Sequence, residues 1–283
     1  MTRFLAVLMI VVCAAVVGWL NHERIAVFLD DGTSSAPTAT PGPAQLGASP
    51  DPRYRFALID PTTSTDTSFR TAMKADLISA VTGYVPDKPS DPPSGVPEVI
   101  GLELTVKLVG TDSLAYGQQT VQVSIPSVAA LPARPDLTAD GALDPGGPYD
   151  VWQDSAETWS DDYDAAVDAA ASGLAALDSI DLDRDEWSGI TAGAAALALL
   201  APVDGDVAFA VFSDLDENRT TQPAQFNGHP ILVVQPDNVG DIGRWQALFE
   251  RFSTWGTANG AGSITRVRPE AAASAINTFI TES

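Results

Sequence analysis

Oxygen-bearing side chains recur where two apolar runs of this sequence end. The run YRFALI, residues 54–59, stops at Asp60-Pro61-Thr62-Thr63-Ser64, and the run VAFAVF, residues 207–212, stops at Ser213-Asp214. Asp60, Thr62 and Ser64 alternate a carboxylate with two hydroxyls, and Asp214 adds a second carboxylate from far along the chain. A hard divalent cation such as Mg²⁺ takes oxygen ligands and keeps part of its water shell, so a few carboxylates and hydroxyls from two neighbouring loops suit it. A third contributor is the segment WSGITAGA, residues 187–194, which opens a helical run; Ser188 is its first candidate hydroxyl and Thr191 its second. The plainer reading of Asp60, Thr62 and Ser64 is a turn that caps the helix beginning near Phe69.

These groups can meet only if the two runs are neighbouring strands, because ligands of open parallel sheets gather at the carboxyl ends of the strands. The pattern supports that arrangement. Residues 54–59, 207–212, 231–235 and 264–267 are short apolar runs, the signature of strands covered on both faces. Residues 99–109 and 120–125 alternate, with a polar turn containing Gly117 between them, and read as an antiparallel pair. Helical spacing links Phe69, Met73, Leu77 and Ala80 in a helix ending near Gly83, and Val167, Ala170, Leu174 and Leu177 in a second. An alanine-rich helix follows over 190–201, then a stripe of Ile242, Trp245, Leu248, Phe249 and Phe252, and a last helix over 271–280. Residues 126–160, dense in Pro, Gly and Asp, read as a long surface excursion. The expected fold is α/β: a mostly parallel central sheet with one antiparallel edge strand and helices on both faces.

With Asp60, Thr62 and Ser64 after the first strand and Asp214 after the fourth core strand, the chain resembles the von Willebrand factor type A-like family. That family carries Asp-x-Ser-x-Ser after its first strand, a Thr before a later helix, and an Asp after its fourth strand. Here Thr62 keeps the hydroxyl of the middle Ser, and Ser188 opens the segment similar to the family's Thr/Ser-Asp-Ile. Two positions depart from the pattern: Gly189 stands where an Asp is usual, and Leu215 where many relatives have Gly. The resemblance covers residues 54–283. It implies a divalent-cation site made by Asp60, Thr62, Ser64, Ser188 and Asp214, at which a protein partner presents a carboxylate. A metal-free scaffold of the same fold is the alternative.

Composition narrows the remaining classes. Lys+Arg 15 against Asp+Glu 37 gives a formal charge of -22, which repels phosphate backbones, so no nucleic acid partner is expected. Cys13 is the one cysteine, which excludes an intramolecular disulfide and a cysteine-based zinc site. His229 is the one imidazole beyond the amino-terminal region, which argues against Ser/His/Asp chemistry. Asp181, Asp183 and Asp185 have the spacing of a calcium loop, but Glu186 replaces its turn glycine and Ala192 its bidentate acid. A phosphotransferase using Asp60 would want a second Asp where Thr62 stands. No phosphate-cradling glycine loop and no nucleophile elbow occurs, and no enzymatic activity is expected.

Arg3 precedes an apolar run over residues 4–20, which reads as an uncleaved signal anchor or a signal peptide. As a helix the run spans roughly 25 Å, a little short of a bilayer's hydrocarbon core. Val12 before Cys13 is too bulky for a lipid-transfer signal. Residues 32–52 are rich in Pro, Ser, Thr, Ala and Gly without periodicity and read as a linker. The expected organisation is 1–24 anchor or signal, 25–53 linker, and 54–283 one α/β domain displayed outside the cytoplasm on the cell membrane.

Overall fold

The computed structural model describes residues 46–62, 65–89, 96–109, 120–139, 141–182, 189–217, 219–236 and 242–282. They fall in one unit of the chain, Pro43–Ser283. The apolar runs form six strands: β1 (Arg53–Ile59), β2 (Leu102–Leu108), β3 (Thr120–Ile125), β4 (Asp206–Phe212), β5 (Ile231–Val234) and β6 (Ile264–Val267). They make one sheet in the order β3-β2-β1-β4-β5-β6, in which only the β2–β3 pairing is antiparallel. Five α-helices accompany it: α1 (Thr67–Thr82), α2 (Pro148–Asp178), α3 (Ile190–Ala198), α4 (Ile242–Ala258) and α5 (Ala272–Thr281).

Strand residues alternate between two apolar layers, as the pleat requires. Ala57 and Ile59 of β1 with Ala210 and Phe212 of β4 pack under α1, α2 and α5, against Met73, Leu77, Trp159, Tyr163 and Ile276. Phe56 and Leu58 with Val207, Phe209 and Val211 pack on the other face, against Ile190 and Leu197 of α3 and Trp245, Leu248 and Phe252 of α4. The architecture is the mostly parallel α/β sheet, one antiparallel edge, that the patterning predicts. The anchor and linker expectations fall outside the described residues. Among the described residues, no helix is long and apolar enough to cross a membrane.

Four local expectations need correction. Residues 126–160 are not a surface excursion throughout: Val128 and Leu131 are buried and bridge to Val99 and Val96, and α2 begins at Pro148. The buried stripe of α2 runs Trp152, Ser155, Trp159, Tyr163, Ala166, Ala170, Gly173, Leu177, so Val167 lies beside it and is exposed. The strand expected over 99–109 is regular only from Leu102, because Gly101 sits so close to Ser127 that its amide donates to Ser127 Oγ at 2.7 Å. Ile242, assigned to the apolar stripe of α4, is exposed at that helix's first turn.

At the amino-terminal ends of the central strands lies a buried cation. Arg55 is fully buried and pairs with Asp206 Oδ1 at 2.9 Å. It also donates to the carbonyls of Tyr54 (3.1 Å), Asp206 (2.8 Å), Glu282 (2.6 Å) and Phe279, tying the last turn of α5 to β1 and β4. A guanidinium is tolerated there because its donors are satisfied; removing one partner of such a pair costs about 3–5 kcal/mol.

Among the described helix glycines, Gly173 comes closest to the sheet: a Cβ there would sit 2.3 Å from Val123 Cγ1 on β3. Gly173→Ala gains about 1 kcal/mol of helix propensity but overpacks a stiff β-branched neighbour at about 1–3 kcal/mol. A net loss of stability in denaturant unfolding is expected, while Gly83→Ala, with only Ser79 O at 3.8 Å, stays near neutral.

Candidate functional site

Parallel pairing of β1 with β4 over all seven residues, Ile59 opposite Phe212, brings the two carboxylate-bearing loops out at the same level. The ladder continues one residue further, with Asp60 N donating to Phe212 O at 3.0 Å, and Pro61 then ends the strand. Asp60 is fully buried. Its Oδ1 accepts from Thr62 N at 3.0 Å and its Oδ2 from Ser213 Oγ at 2.7 Å. Ser213 Oγ in turn accepts from Leu215 N at 2.9 Å, so this hydroxyl links the end of β1 to the loop after β4. Asp214, 1% exposed, accepts from Asp216 N at 2.9 Å through Oδ1, and its carbonyl accepts from Gln235 Nε2 at 3.1 Å.

Thr62, 2% exposed, follows in the turn, and Thr65 Oγ1 closes that turn by donating to the carbonyls of Asp60 and Thr62, each at 2.9 Å. The turn half of the plainer reading therefore holds. The capping half does not: the N-cap of α1 is Asp66, whose side chain accepts from Ser68 N. Arg70 of α1, 2% exposed, reaches back under the turn and donates to the carbonyls of Pro61 and of Thr62, the latter at 3.0 Å. Ser64 and Ser188 lie outside the described residues, as do Asp183 and Asp185.

The second-choice hydroxyl, Thr191, is placed by the amino terminus of α3. It is 3% exposed, and both its N and its Oγ1 donate to Glu217 Oε1, at 3.2 and 2.7 Å. Oγ1 also accepts from Gln222 N at 3.1 Å. Burial pushes the Glu217 carboxyl above its ordinary value; the Thr191 bonds and the Arg251 cation oppose that rise, and the Asp60 charge adds to it. The Thr191–Glu217 bonds join the start of α3 to the loop after β4, and the Ser213 hydroxyl joins that loop to Asp60 at the end of β1. Among the described residues, no three carboxylates, imidazoles or thiols gather to hold a metal ion. Asp60, Asp214 and Glu217 carry carboxylates and Thr62 and Thr191 hydroxyls, all of them hard oxygen donors.

Sequence reasoning missed Ser213 as the bridge, Arg70 as the cation under the turn and Glu217 as the partner of Thr191. Only the string Ser213-Asp214-Leu215-Asp216-Glu217 hinted at the last. Leu215 is also unusual in its backbone: φ is 63°, in the left-handed region, where a branched side chain costs about 1–2 kcal/mol. It is held there by burial of its side chain in the layer beneath α3 and α4.

A cavity of about 770 Å³ lies elsewhere, between α5 and the amino-terminal halves of β4 and β5, with Ala208, Leu232 and Phe279 in its lining. Its lining is mostly apolar, includes Asp206 and Glu282 of the Arg55 cluster, and holds none of Asp60, Thr62, Thr191, Asp214 and Glu217. No protein-family model matches the chain, and no curated protein matches its sequence.

Because the folded state holds the Glu217 proton more tightly than the unfolded chain, stability from this group is full below the ordinary glutamate range. It is lost as pH rises through the raised value. Glu217→Gln keeps an acceptor for Thr191 and removes the titration. Thermal melts from pH 4 to 8 are expected to show a smaller loss of Tm above pH 4.5 in the variant than in the parent.

Proposed function

We propose that residues 54–283 are a von Willebrand factor type A-like binding module, carried outside the cytoplasm on an amino-terminal membrane anchor, that takes a carboxylate of a protein partner through a divalent cation. The observation that carries this reading is the emergence of buried Asp60 and Asp214 from the carboxyl ends of adjacent parallel strands. The mostly parallel sheet with a single antiparallel edge strand is the architecture the resemblance implies, which supports the fold-level analogy and no more. Asp60 and Asp214 would hold the ion directly or through water, with hydroxyls from Thr62, Ser64 and either Ser188 or Thr191. Mg²⁺ fits an all-oxygen set of this kind. Bound there, the ion supplies an electrophilic centre for the partner's carboxylate.

A second reading, a metal-free scaffold of the same fold in an envelope assembly, is favoured by the internal bonding of the same groups. Both oxygens of Asp60 already accept hydrogen bonds, and the Thr191 hydroxyl is committed to Glu217. The Arg70 guanidinium beneath the turn adds a positive charge that opposes a second cation nearby.

Thermal melting of the full-length chain with and without millimolar Mg²⁺ or Mn²⁺ separates the two. An ion that binds only the folded state at 100 times its Kd stabilises it by about 2.7 kcal/mol. The binding-module reading expects a rise in Tm that Asp60→Asn, which keeps the acceptor for Thr62 N, abolishes. An unchanged Tm, or the same rise in both proteins, selects the scaffold.

A further inference from the structure

The strand ladders continue one residue past the ends of β1, β4 and β5. Asp60 N donates to Phe212 O at 3.0 Å, Ser213 N to Val234 O at 3.2 Å and Gln235 N to Val267 O at 3.3 Å. The register therefore sets Asp60, Ser213 and Gln235 side by side on adjacent strands. Each stands two residues beyond a side chain of the layer beneath α3 and α4, namely Leu58, Val211 and Val233, so the pleat turns all three toward that face. All three are fully buried. A polar row thus closes this apolar layer at the rim that bears Asp60 and Asp214.

The row is not evenly satisfied. Ser213 Oγ joins Asp60 Oδ2 to Leu215 N. Gln235 Nε2 donates to the carbonyls of Asp214 at 3.1 Å and Trp245 at 3.3 Å. That uses both amide hydrogens and fixes the orientation of the group, because the reverse would set its oxygen against two carbonyl oxygens. Gln235 Oε1 is buried and accepts no hydrogen bond among the described residues. Buried acceptors are paired with few exceptions, and an exception points to a water or an ion. The neighbouring hydroxyls cannot serve, since Ser213 gives its one hydrogen to Asp60 and Thr191 its own to Glu217. The loop after β4 adds the carboxylates of Asp214 and Glu217, which are further acceptors.

A water held by a divalent cation answers both needs, because it has hydrogens to give and its ion balances carboxylates. Mg²⁺ keeps part of its water shell in proteins, and an acceptor one hydrogen bond beyond that shell stands about 4–5 Å from the ion. We infer that Gln235 is a positioning residue of the cation site, its Oε1 accepting a hydrogen from a water on the bound ion. This rests on the divalent-cation reading proposed above.

The test measures Mg²⁺ affinity by calorimetry on the full-length chain in detergent, for the parent, Gln235→Met and Gln235→Glu. It also takes a crystal structure of the parent grown with Mg²⁺. Gln235→Met keeps the length of the side chain and loses donor and acceptor together, whereas Gln235→Glu keeps an acceptor oxygen and loses the paired donor. Loss of a group that orients a metal's own ligands weakens affinity about 10–100-fold, which is expected of Gln235→Met. Gln235→Glu is expected to match or exceed the parent, and the crystal to show one water shared by the ion and Gln235 Oε1. Equal weakening in both variants makes Gln235 a mere support of the Asp214 carbonyl, and unchanged affinity in both removes it from the site. Either result overturns the inference and leaves the cation reading standing. If the variants do not fold, the parent crystal decides: an ion none of whose waters reaches Oε1 overturns the inference alone. A parent that binds no Mg²⁺ overturns both.

Discussion

Every residue of β1 is paired on both sides, with Leu102–Leu108 of β2 and Asp206–Phe212 of β4, and both ladders are parallel. This double pairing fixes the register of the whole sheet. A slip of one residue between β1 and β4 would turn Phe56, Leu58, Ala57 and Ile59 to the wrong layers. The same slip would part Asp60 from Ser213. The chemistry at the rim is thus a consequence of hydrophobic register rather than of the loops themselves.

The two ends of the paired strands solve opposite electrostatic problems. At the amino-terminal end a buried guanidinium, Arg55, is made tolerable by Asp206 and by carbonyls of α5. At the carboxyl end buried Asp60 is made tolerable by Thr62 N and Ser213 Oγ, with Arg70 close behind the turn. Buried charges are costly unless paired and hydrogen-bonded, and each end meets that condition with different partners. The half-buried Glu217 accepts two bonds from Thr191, and burial raises its proton affinity.

The fold was legible where burial on both faces left no polar break: the runs ending at Ile59, Phe212 and Val267 are strands to within a residue. It was illegible in the first half of α2, because Asp150, Asp154, Asp161, Asp162 and Asp164 crowd the exposed face and hide the Trp152, Trp159, Tyr163 stripe from a short window. Carboxylates at strand ends could be read from the sequence, since a strand's end is a local property. Their partners could not. Glu217 acquires its role from Thr191 on another element, and nothing in the residues around Leu215 announces a left-handed backbone for a leucine.

The placement of Arg53 and Asp60 at opposite ends of a single strand has a mechanical meaning. The strand opens at Arg53 and the candidate contact lies at Asp60, roughly 23 Å away along seven extended residues. A pull applied between those two points runs lengthwise down β1 and loads both flanking ladders in shear. Their hydrogen bonds must then yield together, whereas a load across the strand would unzip them one at a time.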